Sequence, residues 1–186
     1  PGYELNGVML GGKFLRSVTG NEKMNLGSNV LVIGGGNVAF DVARSALRLG
    51  VSNVQIMCLE SSEEMPALPE EIKEAIEEGV KINNRLSPKR FLEKNGRVAG
   101  VECLGVERIE IDELGRLKPI IIEGSEKNIE ADTVIFAIGQ APDLDEFTKD
   151  INIPVTNRGT VTADQDTLKT SIPKLYAGGD AVYGPS

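Results

Sequence analysis

The chain of 186 residues carries 20 Lys and Arg against 28 Asp and Glu, a formal charge of -8, and no histidine. Without an imidazole, histidine metal ligands and Ser-His-Asp relays are excluded. The acidic balance opposes the phosphate-neutralising surface that nucleic acids or an anionic membrane require, so neither is expected as a partner and any bound anion must be held locally.

At 40% hydrophobic and 26% charged, the composition is that of an ordinary globular protein, and the length allows one domain or slightly more. Cys58 and Cys103 are neither close in sequence nor in Cys-x-x-Cys spacing, so they read as buried thiols and not as a disulfide, zinc or dithiol redox centre; no metal site is expected. No apolar run approaches the ~20 residues of a membrane span, and no charged-then-apolar leader opens the chain, so a cytoplasmic setting is expected. Both ends read as cut from a longer polypeptide. The chain opens on Pro1-Gly2-Tyr3 and stops soon after Gly178-Gly179-Asp180, a turn that normally leads into a helix that is missing here.

In chain order, residues 12–18 suit a short helix, and residues 21–27 form a polar connector into the apolar run Asn29-Val30-Leu31-Val32-Ile33, a buried strand. Gly34, Gly35 and Gly36 end it. Small and apolar residues from Asn37 onward then recur at helical spacing until Gly50 closes the helix. With the strand predicted over residues 54–59, a complete βαβ unit results, which implies a parallel sheet and a right-handed crossover. A helix comes next over residues 70–78, carrying Ile72, Ala75 and Ile76 on one face and stopped by Gly79, then a third short strand over residues 80–82. From Arg97 the period shifts toward two. Strands over 98–111, 117–122 and 127–129 are predicted to form an antiparallel meander, with turns at residues 112–115 and at Gly124-Ser125. Residues 133–138 make another apolar strand ending at Gly139, and a last strand is predicted over 174–177.

Gly34-x-Gly36-x-x-Ala39 fits the dinucleotide fingerprint and stands where that fingerprint must stand, between a strand and a helix. Gly34 permits the tight turn, Gly36 lets backbone approach a pyrophosphate, and Ala39 lets helix and strand pack closely. The amides around Gly36, Asn37 and Val38 would face the phosphates, at the positive end of the helix dipole, with Gly35 in the same cofactor-binding turn. A glycine turn that serves close packing alone is the other reading. Glu60 ends the second strand at the offset usual for the acid that bonds a ribose diol, with Ser61 beside it. Such a carboxylate would repel a 2'-phosphate, and no arginine stands in Leu59-Glu60-Ser61-Ser62-Glu63-Glu64. NAD(H) is therefore expected over NADP(H), although an alanine at position 39 suits either form; a merely solvated Glu60 is the alternative.

Three stretches carry a family resemblance: the run from Val32 through Gly34-Gly35-Gly36-Asn37-Val38-Ala39 to Arg44; Glu64-Met65-Pro66-Ala67; and Ala137-Ile138-Gly139-Gln140-Ala141-Pro142-Asp143 followed by Leu175-Tyr176-Ala177-Gly178-Gly179-Asp180. Together they resemble the glutamate synthase small-subunit group of FAD-dependent pyridine nucleotide oxidoreductases, across nearly the whole chain. The resemblance implies an α/β, Rossmann-like three-layer nucleotide-binding domain with a parallel sheet and an antiparallel β-meander, over residues 28–139. Residues 1–27 and 140–186 are then remnants of an FAD-binding domain into which it is inserted. It also implies that Asp41 lies near the nicotinamide carboxamide, that Ala137, Ile138 and Gly139 form a small-residue turn against the nucleotide, and that Gly179 and Asp180 belong to the flavin site. For Asp41 a solvated helix residue paired with Arg44 is the alternative. The sequence departs from many members of the group at Leu59-Glu60, where they carry arginines suited to a 2'-phosphate.

The function expected from this resemblance is hydride transfer from NAD(P)H to FAD, with electrons passed on to iron-sulfur centres or a large catalytic partner subunit. No side-chain acid or base is needed for the transfer, and the chain by itself is expected to bind nucleotide and catalyse little. A dinucleotide-binding sensor or interaction module without turnover is the rival. A methyltransferase-like fold is disfavoured by the meander and by Gly178-Gly179-Asp180. The acidic helix positions Glu70, Glu71, Glu74, Glu77 and Glu78 read as a solvated face, with partner contact as the alternative.

Overall fold

Alternation along one strand sets the layers. In β2 (Asn29–Ile33) successive side chains point to opposite faces, so Val30 and Val32 enter one apolar cluster while Leu31 and Ile33 enter another. The first cluster lies against the helices: Phe14 of α1 (Gly11–Thr19), Ala39, Phe40, Val42, Ala43 and Ala46 of α2 (Asn37–Arg48), and Ala75 of α3 (Pro69–Glu78). The second is closed by Leu86, Val98, Val101, Cys103 and Ile129 from an antiparallel sheet. Helices, parallel sheet and antiparallel sheet make the three layers.

The computed structural model describes residues 2–112, 117–139, 144, 151–156 and 159–184. They fall into two units that divide between Ile138 and Gly139. In the first unit β1 (Val8–Leu10), β2, β3 (Asn53–Met57), β4 (Lys81–Asn83) and β9 (Thr133–Phe136) form the parallel sheet, in the order β1-β9-β2-β3-β4. Residues 1–27, attributed by resemblance to a flavin domain, contribute β1 and α1 to this unit, with Val8, Met9 and Leu10 opposite Val134, Ile135 and Phe136. Three apolar residues are too short a run to show a period, so β1 is not legible in the sequence.

The antiparallel layer differs from the predicted meander. Strand β5 (Leu86–Lys94) is not legible in the sequence, because Pro88 and the charges of Lys89, Arg90, Glu93 and Lys94 mask its alternation. Its turn is Asn95-Gly96, both residues at positive φ, the pairing that a two-residue hairpin demands. It leads into the long β6 (Arg97–Ile111). Both β7 (Leu117–Ile121) and β8 (Lys127–Glu130) then pair with β6, not with each other. The predicted turn at 112–115 lies largely outside the described residues, as does the quoted motif Gln140-Ala141-Pro142-Asp143.

In the second unit, single bridges join Val155 to Val161, Ala163 to Thr170 and Lys169 to Tyr176. The strand predicted over 174–177 is reduced to the bridge at Tyr176, with Lys174 at positive φ just before it. The helix held to be missing is present as one turn, α4 (Asp180–Tyr183).

Candidate functional site

The site grows from the carboxyl ends of β2, β3 and β9, which lie side by side in the parallel sheet, the edge at which open α/β sheets bind ligands. Gly34 leaves β2 at φ +141, and a Cβ there would collide with the Ala137 carbonyl oxygen at the end of β9. Only glycine allows this turn to press so close to its neighbour. A Cβ on Gly35 would lie 2.9 Å from Glu60 Oε2 and 3.2 Å from Cys58 Cβ, so a side chain here would crowd the end of β3 and the Glu60 carboxylate. Gly36 is different: nothing lies within 4 Å of where its Cβ would stand. Its φ of -90 suits any residue, so packing and strain do not account for a glycine here.

Gly36 is the N-cap of α2, and no side chain caps that helix. The nearest candidate, Asn37, turns its Oδ1 to accept the Leu68 N–H at 2.9 Å, tying the loop after β3 to the helix start. The first amides of α2 are thus left without a side-chain acceptor beside an open approach, an arrangement that suits a phosphate or pyrophosphate. Behind it Ala39 is fully buried, as a close helix-to-strand contact requires, whereas Val38 is partly exposed. A dinucleotide fits this cradle on the two tests that the residues offer: the free space over Gly36 and the uncapped amides.

Glu60 lies just beyond β3 with its carboxylate over the glycine turn. Next to it Glu64 Oε2 accepts from the Ser61 N–H at 3.2 Å and the Ser61 hydroxyl at 2.8 Å, and lies 2.8 Å from Arg85 Nη2. Hydrogen bonds from Ser61, with a smaller contribution from the Arg85 charge, hold the Glu64 carboxyl below its usual range. Arg85 stands in the loop between β4 and β5 at φ +55, where its N–H donates to the Glu60 carbonyl oxygen at 3.1 Å. Asn84 Nδ2 donates to the same oxygen at 3.2 Å. Sequence reasoning missed Arg85 because it considered only the residues flanking Glu60. A signal was available: β3 and β4 are parallel neighbours, so the loops that leave their carboxyl ends lie side by side.

The thiol of Cys58 is pushed up to about 11 by burial and by Glu60, which keeps it protonated and unreactive at neutral pH. Asp41 is exposed one turn into α2, its carboxyl raised by partial burial and by Glu71 against the pull of Arg44 and Arg48. The ion pairs of Arg44 go to Glu71, Glu74 and Glu78, at 2.9, 2.6 and 2.8 Å, and Arg48 shares Glu78. Part of the acidic face read as solvated therefore clamps α3 onto α2. Ala137 is buried beside Gly34, while Ile138 is exposed and Gly139 stands at φ +92. The structure thus gathers Gly34 to Ala39, Glu60, Ser61, Ala137 and Ile138 at one sheet edge. Gly179, at φ +60, and Asp180 cap and begin α4 in the second unit. Among the described residues no acidic, cysteine or histidine cluster could hold a metal ion, and no helix is long and apolar enough to cross a membrane.

Residues 1–186 match the family described as pyridine nucleotide-disulphide oxidoreductase. The beta subunit of NADP(+)-dependent formate dehydrogenase from Moorella thermoacetica is 41% identical over 96% of this chain, and the glutamate synthase [NADPH] small chain of Escherichia coli is 35% identical over 85%. The chain spans 25% and 34% of the lengths of these two relatives. The crystal structure of T. acidophilum thioredoxin reductase superposes with a TM-score of 0.71 at 23% identity, over 96% of this chain and 50% of that one, a likeness of fold. The resemblance to the glutamate synthase small-subunit group is thus confirmed. The expectation that NAD(H) is favoured over NADP(H) is overturned: both relatives are named for the phosphorylated cofactor. The premise behind it fails in space as well, since Arg85 folds against the very stretch that carries no arginine of its own.

Proposed function

The chain belongs to the pyridine nucleotide-disulphide oxidoreductase family, and on that premise we propose that it is the NADP(H)-binding portion of an FAD-dependent oxidoreductase. Within the full protein it would present the reduced nicotinamide to a flavin, and electrons would pass on to iron-sulfur centres or a partner subunit. The names of the relatives, a beta subunit and a small chain, support a multisubunit setting. Residues 140–186 are read as the returning part of the flavin domain, with Gly179 and Asp180 contributing to its site.

The single observation that carries the reading is the uncapped start of α2 beneath the open space at Gly36. The amides of Gly36, Asn37 and Val38 would bind the pyrophosphate, and the helix dipole would favour its charge. Gly34 and Ala137 would set the floor of the crevice, and Ile138 and Gly139 its rim. Asp41 would stand near the carboxamide, and Glu60 with Ser61 near the adenosine ribose. The bound nucleotide supplies the hydride; these residues supply position and exclude competing geometries. Because no proton must move, the lack of histidine is no obstacle.

Calorimetric titration of the purified protein with NADPH, NADH and FAD tests this. NADPH is expected to bind more tightly than NADH, and the isolated chain to show little NADPH oxidation without added flavoprotein. Absence of binding by either nicotinamide nucleotide would contradict the reading.

A further inference from the structure

The geometry points to Ser61 and Arg85 as the receptor for the 2'-phosphate of the cofactor, with Glu64 as a built-in competitor that occupies it in the free protein. The inference rests on the dinucleotide reading above and goes beyond it by assigning the discriminating residue, which lies on a loop outside the fingerprint.

Three donors converge on one oxygen. The Ser61 N–H, the Ser61 hydroxyl and the Arg85 guanidinium all meet Glu64 Oε2, at 3.2, 2.8 and 2.8 Å. An N–H, an O–H and a guanidinium around a single anionic oxygen form the donor set that a phosphate monoester uses. The chain's own carboxylate stands in for it. Its acidity is raised by these same contacts, as expected of a site that stabilises negative charge. The receptor is also held in place independently of Glu64. Arg85 is anchored through its backbone to Glu60, and its Nη1 donates to the Glu107 carbonyl oxygen at 3.3 Å, so the guanidinium remains fixed if Glu64 swings away. Glu64 itself is about half exposed, free to leave toward solvent. Position agrees: Ser61 is next in the chain to Glu60, the acid beside the ribose in the proposed binding mode, and the 2'-phosphate extends from that sugar.

Glu60 and Glu63 remain nearby, and their charge explains why the sequence alone points to the unphosphorylated cofactor. A fixed guanidinium with two Ser61 donors counters them where a loop of carboxylates alone would not. The arrangement also makes NADPH binding an exchange: one anion leaves the three donors as another arrives.

Titrations of the purified protein and its variants with NADPH, NADH and 2',5'-ADP test the assignment. Arg85→Gln should weaken NADPH and 2',5'-ADP by about 10- to 100-fold, the range of a lost charge-assisted contact, and change NADH by less than about threefold. Arg85→Lys should recover part of the loss, since it returns the charge without the fork. Glu64→Gln should tighten NADPH several-fold and leave NADH unchanged, because the competitor is weakened while the donors stay. If Arg85→Gln also lowers the melting temperature, Glu64→Gln decides: tighter NADPH binding supports the inference, and unchanged binding overturns it. Equal weakening of NADPH and NADH in Arg85→Gln, or unaltered NADPH binding, overturns this inference alone. Failure of the unaltered protein to bind either dinucleotide overturns the dinucleotide reading with it.

Discussion

The glycine turn takes its donors from one contiguous stretch, Gly36, Asn37 and Val38, whereas the cluster of Ser61, Glu64 and Arg85 joins two loops separated by α3 and β4. In the free protein the first leaves its amides open and uncapped; the second satisfies its donors with an internal carboxylate. The difference comes from their charge. Backbone amides at a helix end carry a partial charge and lose little by waiting in water, while a fixed guanidinium beside a hydroxyl attracts whichever anion is at hand. On the proposed reading, one half of the site would be ready to bind and the other would have to exchange.

Within the turn, the largest expected effect comes from Gly34→Val. Its φ of +141 and the collision with the Ala137 carbonyl oxygen should destabilise the protein by about 3 kcal/mol, read as a lower midpoint of chemical unfolding, with nucleotide binding lost as well. Gly36→Val separates packing from binding. With nothing within 4 Å, it should leave stability within about 1 kcal/mol of the parent and yet weaken NADPH by at least about 100-fold, because the methyl groups would occupy the pyrophosphate lane. If both glycine variants lose stability equally, the contrast between a packed and an open glycine is broken.

Next in size is Asp132, whose Oδ2 accepts the N–H groups of Ser28 and Asn29 at 2.8 and 2.9 Å and the Asn29 amide at 3.2 Å at the entry to β2. Asp132→Ala should cost about 1.5 kcal/mol, measured by denaturant unfolding, and leave NADPH affinity nearly unchanged because the entry is at the opposite end of the strand from Gly34. The smallest effect concerns acid. Glu102 lies across from Arg90 and near Lys89, and these bring its carboxyl down to about 2. A carboxyl lowered by folding contributes stability that is complete above its unfolded value near 4.5 and is lost as pH falls toward 2. Glu102→Gln should thus flatten the fall in stability across that window and change little at pH 7. An unchanged acid profile would show that these ion pairs do not couple to folding.

How far the site could be read from sequence depends on the same contrast. The βαβ unit and its glycine turn were legible because strand, turn and helix signals lie in unbroken order from Asn29 to Met57. The three layers came from the resemblance, and β5 stayed hidden because Pro88 and its exposed charges interrupt the alternation, although Asn95-Gly96 marked its turn. Arg85 could not be found by inspecting the neighbours of Glu60; it required knowing that β3 and β4 pair in parallel, which places Asn84 and Arg85 beside Glu60. The preference for NAD(H) is overturned by the relatives named for the phosphorylated cofactor, and Arg85 is the residue proposed to account for it. Likewise Glu71, Glu74 and Glu78 read as solvent-facing because the sequence does not show that Arg44 of α2 lies among them.

The central claim is that the first amides of α2 hold the pyrophosphate. Amide chemical shifts followed during NADPH titration test it most directly. Gly35, Gly36, Asn37 and Val38 should show the largest backbone changes, with Arg85 moving only for the phosphorylated cofactor. Saturation of NADPH binding with the amides of residues 35–38 unmoved would contradict the account.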